Sequence, residues 1–195
     1  MKTPVDHASY ESHEEYFRHA QTITLKANLY RRFFLYPKIS KFLPKKTVDI
    51  GCGLGSFQDF KKGVTGIDIN PFFVDHCNKN GHESYLYTEP SYDFNDSSFD
   101  SVLIDNVIEH IWDPTNIMKE IYRILKPGGL CVVGVPGKVG FEEHSDHKVF
   151  YDENSLINLM HENNFLKVKL FFTPFKSEYF SENWGAYCLY GVFQK

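Results

Sequence analysis

The chain changes texture at Thr47. Before it, over residues 8–43, apolar and aromatic positions (Tyr16, Phe17, Ile23, Leu25, Leu29, Phe33, Phe34, Ile39) recur irregularly among polar ones. That stretch reads as helix, and Pro37 is expected to split it. After Thr47, short apolar runs alternate with helically spaced stretches. The runs predict strands at 47–51, 64–69, 84–87, 100–105, 130–135, 166–172 and 187–194. Helices fall near 55–62, 71–80, 115–125 and 152–163. The punctuation agrees: Pro71 and Asp113-Pro114 suit first helical turns. Asp152 is a candidate N-cap, Asn163-Asn164 a stop, and "KPGG" at 126–129 ends a helix before the strand "LCVVGV". Alternation of this kind, without repeats or a linker, predicts one α/β domain over 1–195. Its architecture is a doubly wound, mostly parallel, seven-stranded sheet.

Composition narrows the partners. A chain of 195 residues with 42% hydrophobic and 24% charged residues can bury a core and stay soluble. A formal net charge of −4 disfavours a general nucleic-acid binder. Cys52, Cys77, Cys131 and Cys188 form no CxxC pair, which suits a reducing compartment. The polar start "MKTPVDHASYESHEEY" is unlike a signal peptide. No apolar run approaches the roughly 18 residues of a membrane span. The expectation is a cytoplasmic protein acting on a small molecule, without nucleic acid or membrane. With 18 Phe and 12 Tyr, aromatic rings exceed what a minimal core needs, so some are expected to line a pocket.

The first chemical signal is "VDIGCGLGSF" at 48–57. A strand end, then glycines at 51, 53 and 55, then a helix start is a common cradle for an adenosine-containing cofactor. A nicotinamide fingerprint would carry its third glycine where Ser56 stands. The second strand ends in "GIDI", placing Asp68 where a carboxylate can accept from both ribose hydroxyls, a need shared by nicotinamide and adenosyl cofactors.

Two further segments discriminate: "SSFDSVLIDNVIEHIWDP" (97–114) and "ILKPGGLCVVGVP" (124–136). In order with the glycine loop, over about residues 45–172, they resemble the class I S-adenosylmethionine-dependent methyltransferases. The likeness is to small-substrate members of the type 11/12 group, which share "EH-I-x-DP" and "LKPGG". The resemblance implies a Rossmann-like core at 46–195, an N-terminal helical lid at 1–45, and S-adenosyl-L-methionine as cofactor. It places Asp49, Gly51, Cys52, Gly53 and Gly55 along the methionine portion, Asp68 on the ribose and Ile69 on adenine. Thr88 or Glu89 would meet the adenine amino group, and Asn106 and Val107 would run along the methionine backbone. A protein that binds the cofactor without turnover is the second reading; a nicotinamide oxidoreductase is disfavoured by Ser56 and by "LKPGG".

Methyl transfer is an in-line displacement at a carbon activated by sulfonium charge, so alignment and water exclusion matter most. A hydroxyl acceptor also gains from a general base. The loop "GKVGFEEHSDHKVFY" (137–151) gathers Glu142, Glu143, His144, Asp146 and His147. His147 is the expected base, with Asp146 and His144 next. No metal is expected. The similar ubiquinone-biosynthesis O-methyltransferases carry a Glu-x-x-Glu-His stretch that suggests a divalent ion, but Asn106 stands at its first position here, and Glu109-His110 reads as a brace. The acceptor pocket is expected between the N-terminal segment and "TPFKSEYFSENWGAY" (173–187). The basic run Arg31, Arg32, Lys38, Lys41, Lys45 and Lys46 reads as a solvated face or a phosphate contact. The wording around "DHKVFYDENSLINLM" is similar to enzymes acting on sugars, polysaccharides and quinones, so the acceptor is expected to be a sugar, nucleotide-sugar or quinone-type metabolite.

Overall fold

The computed structural model describes residues 13–22, 25–87 and 92–195. Its strands are β1 (Thr47–Ile50), β2 (Val64–Asp68), β3 (Glu83–Leu86), β4 (Phe99–Asp105), β5 (Leu125–Pro136), β6 (Leu166–Thr173) and β7 (Cys188–Gln194). They form one sheet in the order β3-β2-β1-β4-β5-β7-β6. The first five run parallel, and β7 lies antiparallel between β5 and β6. The mostly parallel, doubly wound sheet is present as expected.

Period-two alternation explains why both faces are covered. Val102 and Ile104 of β4, with Cys131, Val133 and Val135 of β5, join a core with Met118, Ile121, Leu156 and Phe165. Leu103 and Val132 face the other way, onto Leu35, Tyr36, Ile39, Leu43 and Phe57. Thus α6 (Thr115–Ile124) and α8 (Glu153–Glu162) cover one face, while the N-terminal segment and α4 (Ser56–Phe60) cover the other. Local signals fix the helix starts. Asn70 accepts from the Phe72 N–H at the head of α5 (Pro71–Lys79), and Asp152 and Ser155 form a reciprocal capping box.

The structure differs from the sequence reading in three places. Pro37 does not split the N-terminal segment. After α1 (His13–Ala20), helical backbone runs through α2 (Leu25–Tyr30), a π-helical turn at Arg31–Leu35, α3 (Tyr36–Ile39) and a 3-10 turn at Ser40–Phe42. The wider turn lies just before the proline, which can donate no bond of its own. Within the stretch expected as a lid, Leu35, Tyr36, Ile39 and Leu43 are core residues, and α1 packs on α5 through Phe17 against Phe72 and Phe73. "KPGG" is not a turn before β5 but a bulge inside it: Phe99 pairs with Leu125 and Ser101 with Leu130, the slack being taken up where Gly128 sits at φ +76°. Two short helices, α7 (Lys138–Glu142) and α9 (Glu178–Asn183), form in segments read as loops.

Register sets where a ligand can bind. Ile50 lies level with Ile67 on one side and Ile104 on the other, so β1, β2 and β4 end together. The strand order reverses between β1 and β4, which opens a crevice at their carboxyl ends.

Candidate active site

The glycine loop leaves β1 over that crevice. Gly51 and Cys52 both donate backbone N–H bonds to the Ile67 carbonyl, tying the loop to β2. Its three glycines, all at positive φ, do different work. A Cβ on Gly51 would overlap Val107 Cγ2 from the end of β4, and one on Gly55 would come within 2.9 Å of Cys77 Sγ. A Cβ on Gly53 meets nothing within 4 Å. Gly51 and Gly55 are therefore bare for packing, and Gly53 is the position where another molecule can approach the main chain.

Asp68 at the end of β2 fixes this loop. Its Oδ2 accepts from the Gly53 N–H at 2.9 Å and its Oδ1 from the Asn70 N–H at 2.9 Å. Burial pushes its carboxyl upward and these backbone donors pull it back. The Ile69 N–H also pulls on it, and a carboxylate of about four acceptor sites keeps room for a further hydroxyl. Ile69, next along, is exposed at 39%. Cys52 is buried, and its Sγ lies 2.8 Å from where a Gly66 Cβ would stand, so only its backbone faces the loop's outer side. Thr88 and Glu89 lie outside the described residues.

Asp49 lies beneath the loop, and sequence reasoning missed the group beside it. Burial, with Asp105 and Asp68 nearby, drives the Asp49 carboxyl well above the usual carboxylate range, against the pull of Arg31. Burial also raises Asp105, countered by Arg31 and by the Tyr190 hydroxyl, which donates to its Oδ1 at 2.7 Å. Asn106, at φ +53°, donates its N–H to the Gly134 carbonyl and its side-chain amide to Asp105. The basic run forms no single patch. Arg31 turns inward to Tyr36 and Asp105, Lys38 donates to the Phe172 and Pro174 carbonyls, and Lys46 sits over the Phe99 ring.

Beyond β4 the chain makes a 3-10 turn, Ile108–His110, and this turn organises the histidine loop. The Glu109 carbonyl accepts from both Lys148 and Val149 N–H groups, at 2.7 and 3.1 Å, which brings residues 144–149 against it. His147 is held by a 2.9 Å bond from Nδ1 to the Phe141 carbonyl and by stacking on the Phe141 ring. A carbonyl can only accept, so Nδ1 carries the hydrogen and Nε2 keeps its lone pair. His110 Nδ1 lies 3.0 Å from Asp146 Oδ2, an ion-pair contact without hydrogen-bond geometry. Burial lowers the pKa of both rings. The His110 and His147 centroids are 4.7 Å apart.

The Glu109 side chain has no exposure, and neither of its oxygens has a hydrogen-bond partner among the described residues. Burial raises its carboxyl well above the usual range against the pull of its own backbone N–H, and Asp105 and Asp146 push it further up. His147 Nε2 stands 4.0 Å from Glu109 Oε1, too far for a hydrogen bond. Of the three expected acceptor-side residues, the structure brings His147 and Asp146 into this cluster. His144 is exposed, its ring 5.0 Å from that of His147.

The aromatic connection between β6 and β7 closes in from the side. Trp184 meets Tyr30 edge-on at 5.3 Å, and a Cβ on Gly140 of α7 would collide with the Gly185 carbonyl. The two loops thus interlock through a pair of glycines. Among the described residues, no helix is long and apolar enough to cross a membrane.

This sheet order and glycine loop are those of the class I methyltransferase fold. Residues 48–133 match the family model of the methyltransferase domain. A methyltransferase from Thermotoga maritima, described as a possible histamine N-methyltransferase, superposes with a TM-score of 0.74 at 22% identity, covering 94% of this chain and 98% of that one. Phosphoethanolamine N-methyltransferase 2 of Caenorhabditis elegans is 34% identical over 122 residues, 56% of this chain but 28% of that protein. An uncharacterized protein of Methanocaldococcus jannaschii is 28% identical over 150 residues, 71% of this chain and 73% of that one. The chain thus spans under a third of the curated worm relative it matches. It has the class I methyltransferase fold, and its residues 48–133 match a methyltransferase domain, which implies S-adenosyl-L-methionine as the cofactor. The residues present fit that cofactor: Gly53 offers open main chain, and Asp68 offers unused acceptor capacity.

Proposed function

We propose that the chain transfers a methyl group from S-adenosylmethionine to a small molecule through a hydroxyl, of the kind a sugar or quinone-type metabolite carries. The cofactor supplies an electrophilic methyl on its sulfonium. Asp49, Gly51, Cys52, Gly53 and Gly55 would run along its methionine portion with Asn106 and Val107, Asp68 would hold the ribose, and Ile69 would pack on adenine. The acceptor lies against His147, Asp146 and His144, and the hydroxyl proton passes to a base among these three as the methyl group arrives. The observation that carries this reading is the polar cluster on the turn after β4, continuous with the strand that borders the cofactor loop. An aligned amine acceptor would need no such cluster. The C. elegans relative, a phosphoethanolamine N-methyltransferase by name, supports a small acceptor.

The test is a turnover screen. Purified protein with S-adenosylmethionine is offered hydroxylated and amine metabolites, and S-adenosylhomocysteine release is measured. Release on hydroxylated compounds is expected, with kcat lowered in His147→Ala and cofactor affinity kept. Tight cofactor binding with no turnover on any acceptor would instead favour a regulatory or subunit role.

A further inference from the structure

We propose that Glu109, His110 and His147 form a binding site for one divalent transition-metal ion. The starting observation is a carboxyl group with no reason to be where it is. Glu109 is wholly buried, both oxygens lack partners among the described residues, and the nearest imidazole nitrogen stops short of a hydrogen bond. An unpaired buried polar group costs folding free energy, so a protein keeps one where something else satisfies it.

The surroundings say what that is. One ligand atom each from Glu109, His110 and His147 lies within 4.8 Å of the others. His147 is tethered through Nδ1 to a backbone carbonyl, and His110 Nδ1 lies 3.0 Å from the Asp146 carboxylate. The His147 tether fixes its tautomer and leaves Nε2 as the donor, which is how metal-ligating histidines are held. Ligand atoms at about 2.0–2.2 Å from a common ion sit roughly 3.5 Å apart or less. Small side-chain rotations would close the present spacing to that value.

The donor set selects the ion. Two imidazoles and one carboxylate suit zinc, cobalt, manganese or ferrous iron better than magnesium or calcium, which take oxygen ligands. Three protein ligands leave at least one coordination position open, unlike the four of a closed structural site. A small molecule's oxygen can take that position. Ion binding does not depend on the methyl-transfer reading; only the use of the open position does.

The test measures metal directly. Stripped protein is titrated with Zn²⁺ by calorimetry and with Co²⁺ by visible absorption, beside S-adenosylhomocysteine binding on the same sample. Wild type is expected to take one ion per chain and to show cobalt d–d bands. Glu109→Gln, an isosteric change, and His147→Ala should each weaken binding at least about tenfold. His161→Ala, on the exposed end of α8, should leave it unchanged. His110→Gln is the replacement should His147→Ala unfold in a melting curve. Absence of a one-to-one ion, equal affinity in Glu109→Gln and wild type, or binding of Mg²⁺ but not Zn²⁺ or Co²⁺ would each overturn the proposal. Cofactor affinity should be retained in these variants. Its loss from wild type would count against the methyltransferase reading and leave the metal result standing.

Discussion

The Tyr190 hydroxyl reaches across an entire strand to donate to Asp105 at 2.7 Å. Asp105, Gly134 and Tyr190 stand in register on β4, β5 and β7. Any Cβ on Gly134 would overlap Asp105 Oδ1 and the Tyr190 ring. Glycine at 134 is what lets the two meet. Gly134→Ala should therefore lower both stability and cofactor affinity. Tyr190→Phe leaves a buried carboxyl short of one donor and should cost about 1–3 kcal/mol. Denaturant melts check both, and an unchanged midpoint in either would refute the arrangement.

The division of labour in the glycine loop separates two variants. Gly53→Val should lose most affinity for S-adenosylhomocysteine with a modest stability cost, roughly 1–2 kcal/mol for a side chain at positive φ. Gly51→Ala should do the reverse, lowering the melting temperature first through the collision with Val107. Calorimetry and thermal unfolding of the pair would show the opposite ordering if the loop were assigned wrongly.

Asp68 anchors the glycine loop and, on the proposed reading, also holds the ribose, so its loss should exceed that of two ribose hydrogen bonds. Asp68→Ala removes the acceptor that holds Gly53 and Asn70. Hydrogen bonds to charged groups contribute roughly 1.5–3 kcal/mol each, so affinity for S-adenosylhomocysteine should fall at least about tenfold. Amide exchange at Gly53 should also quicken in the ligand-free variant. A twofold change in affinity would mean another residue holds the ribose.

The Asp49 carboxyl is raised in the folded state, chiefly by burial and then by Asp105 and Asp68. A group of this kind favours the fold below its unfolded pKa and costs stability as pH rises through the folded value. Asp49→Asn should therefore stabilise the ligand-free protein at neutral and alkaline pH. The gain should shrink toward zero below the ordinary aspartate range. Melting curves across pH check the sign; a gain only at acid pH would reverse it.

Much of the sheet could be read in advance because β1, β2, β4 and β5 are buried on both faces and appear as apolar runs between turn residues. The helices α7 and α9 escaped because five or six residues hold too little of a helical period to show. The glycine loop and Asp68 were readable because they are local. Arg31 was misread because its neighbours in sequence are exposed, while the π-helical turn points it inward. The Asp105–Tyr190 bond spans 85 residues and depends on a third strand. Glu109 and His147 lie 38 positions apart, and they meet because the Glu109 carbonyl gathers the later loop. The "EH" pair and the "HSDH" run are each visible in the sequence, but nothing local to either links them.

That carbonyl has a consequence in time as well as space. The Lys148 and Val149 amides share one oxygen, on the residue whose side chain lies in the candidate site. The loop cannot swing away while both bonds persist, so its opening rate is written into two adjacent amides. Hydrogen exchange at Lys148 and Val149 thus becomes a clock for access to the site. It should slow whenever something binds Glu109, which makes these two positions a readout of occupancy without any enzymatic assay.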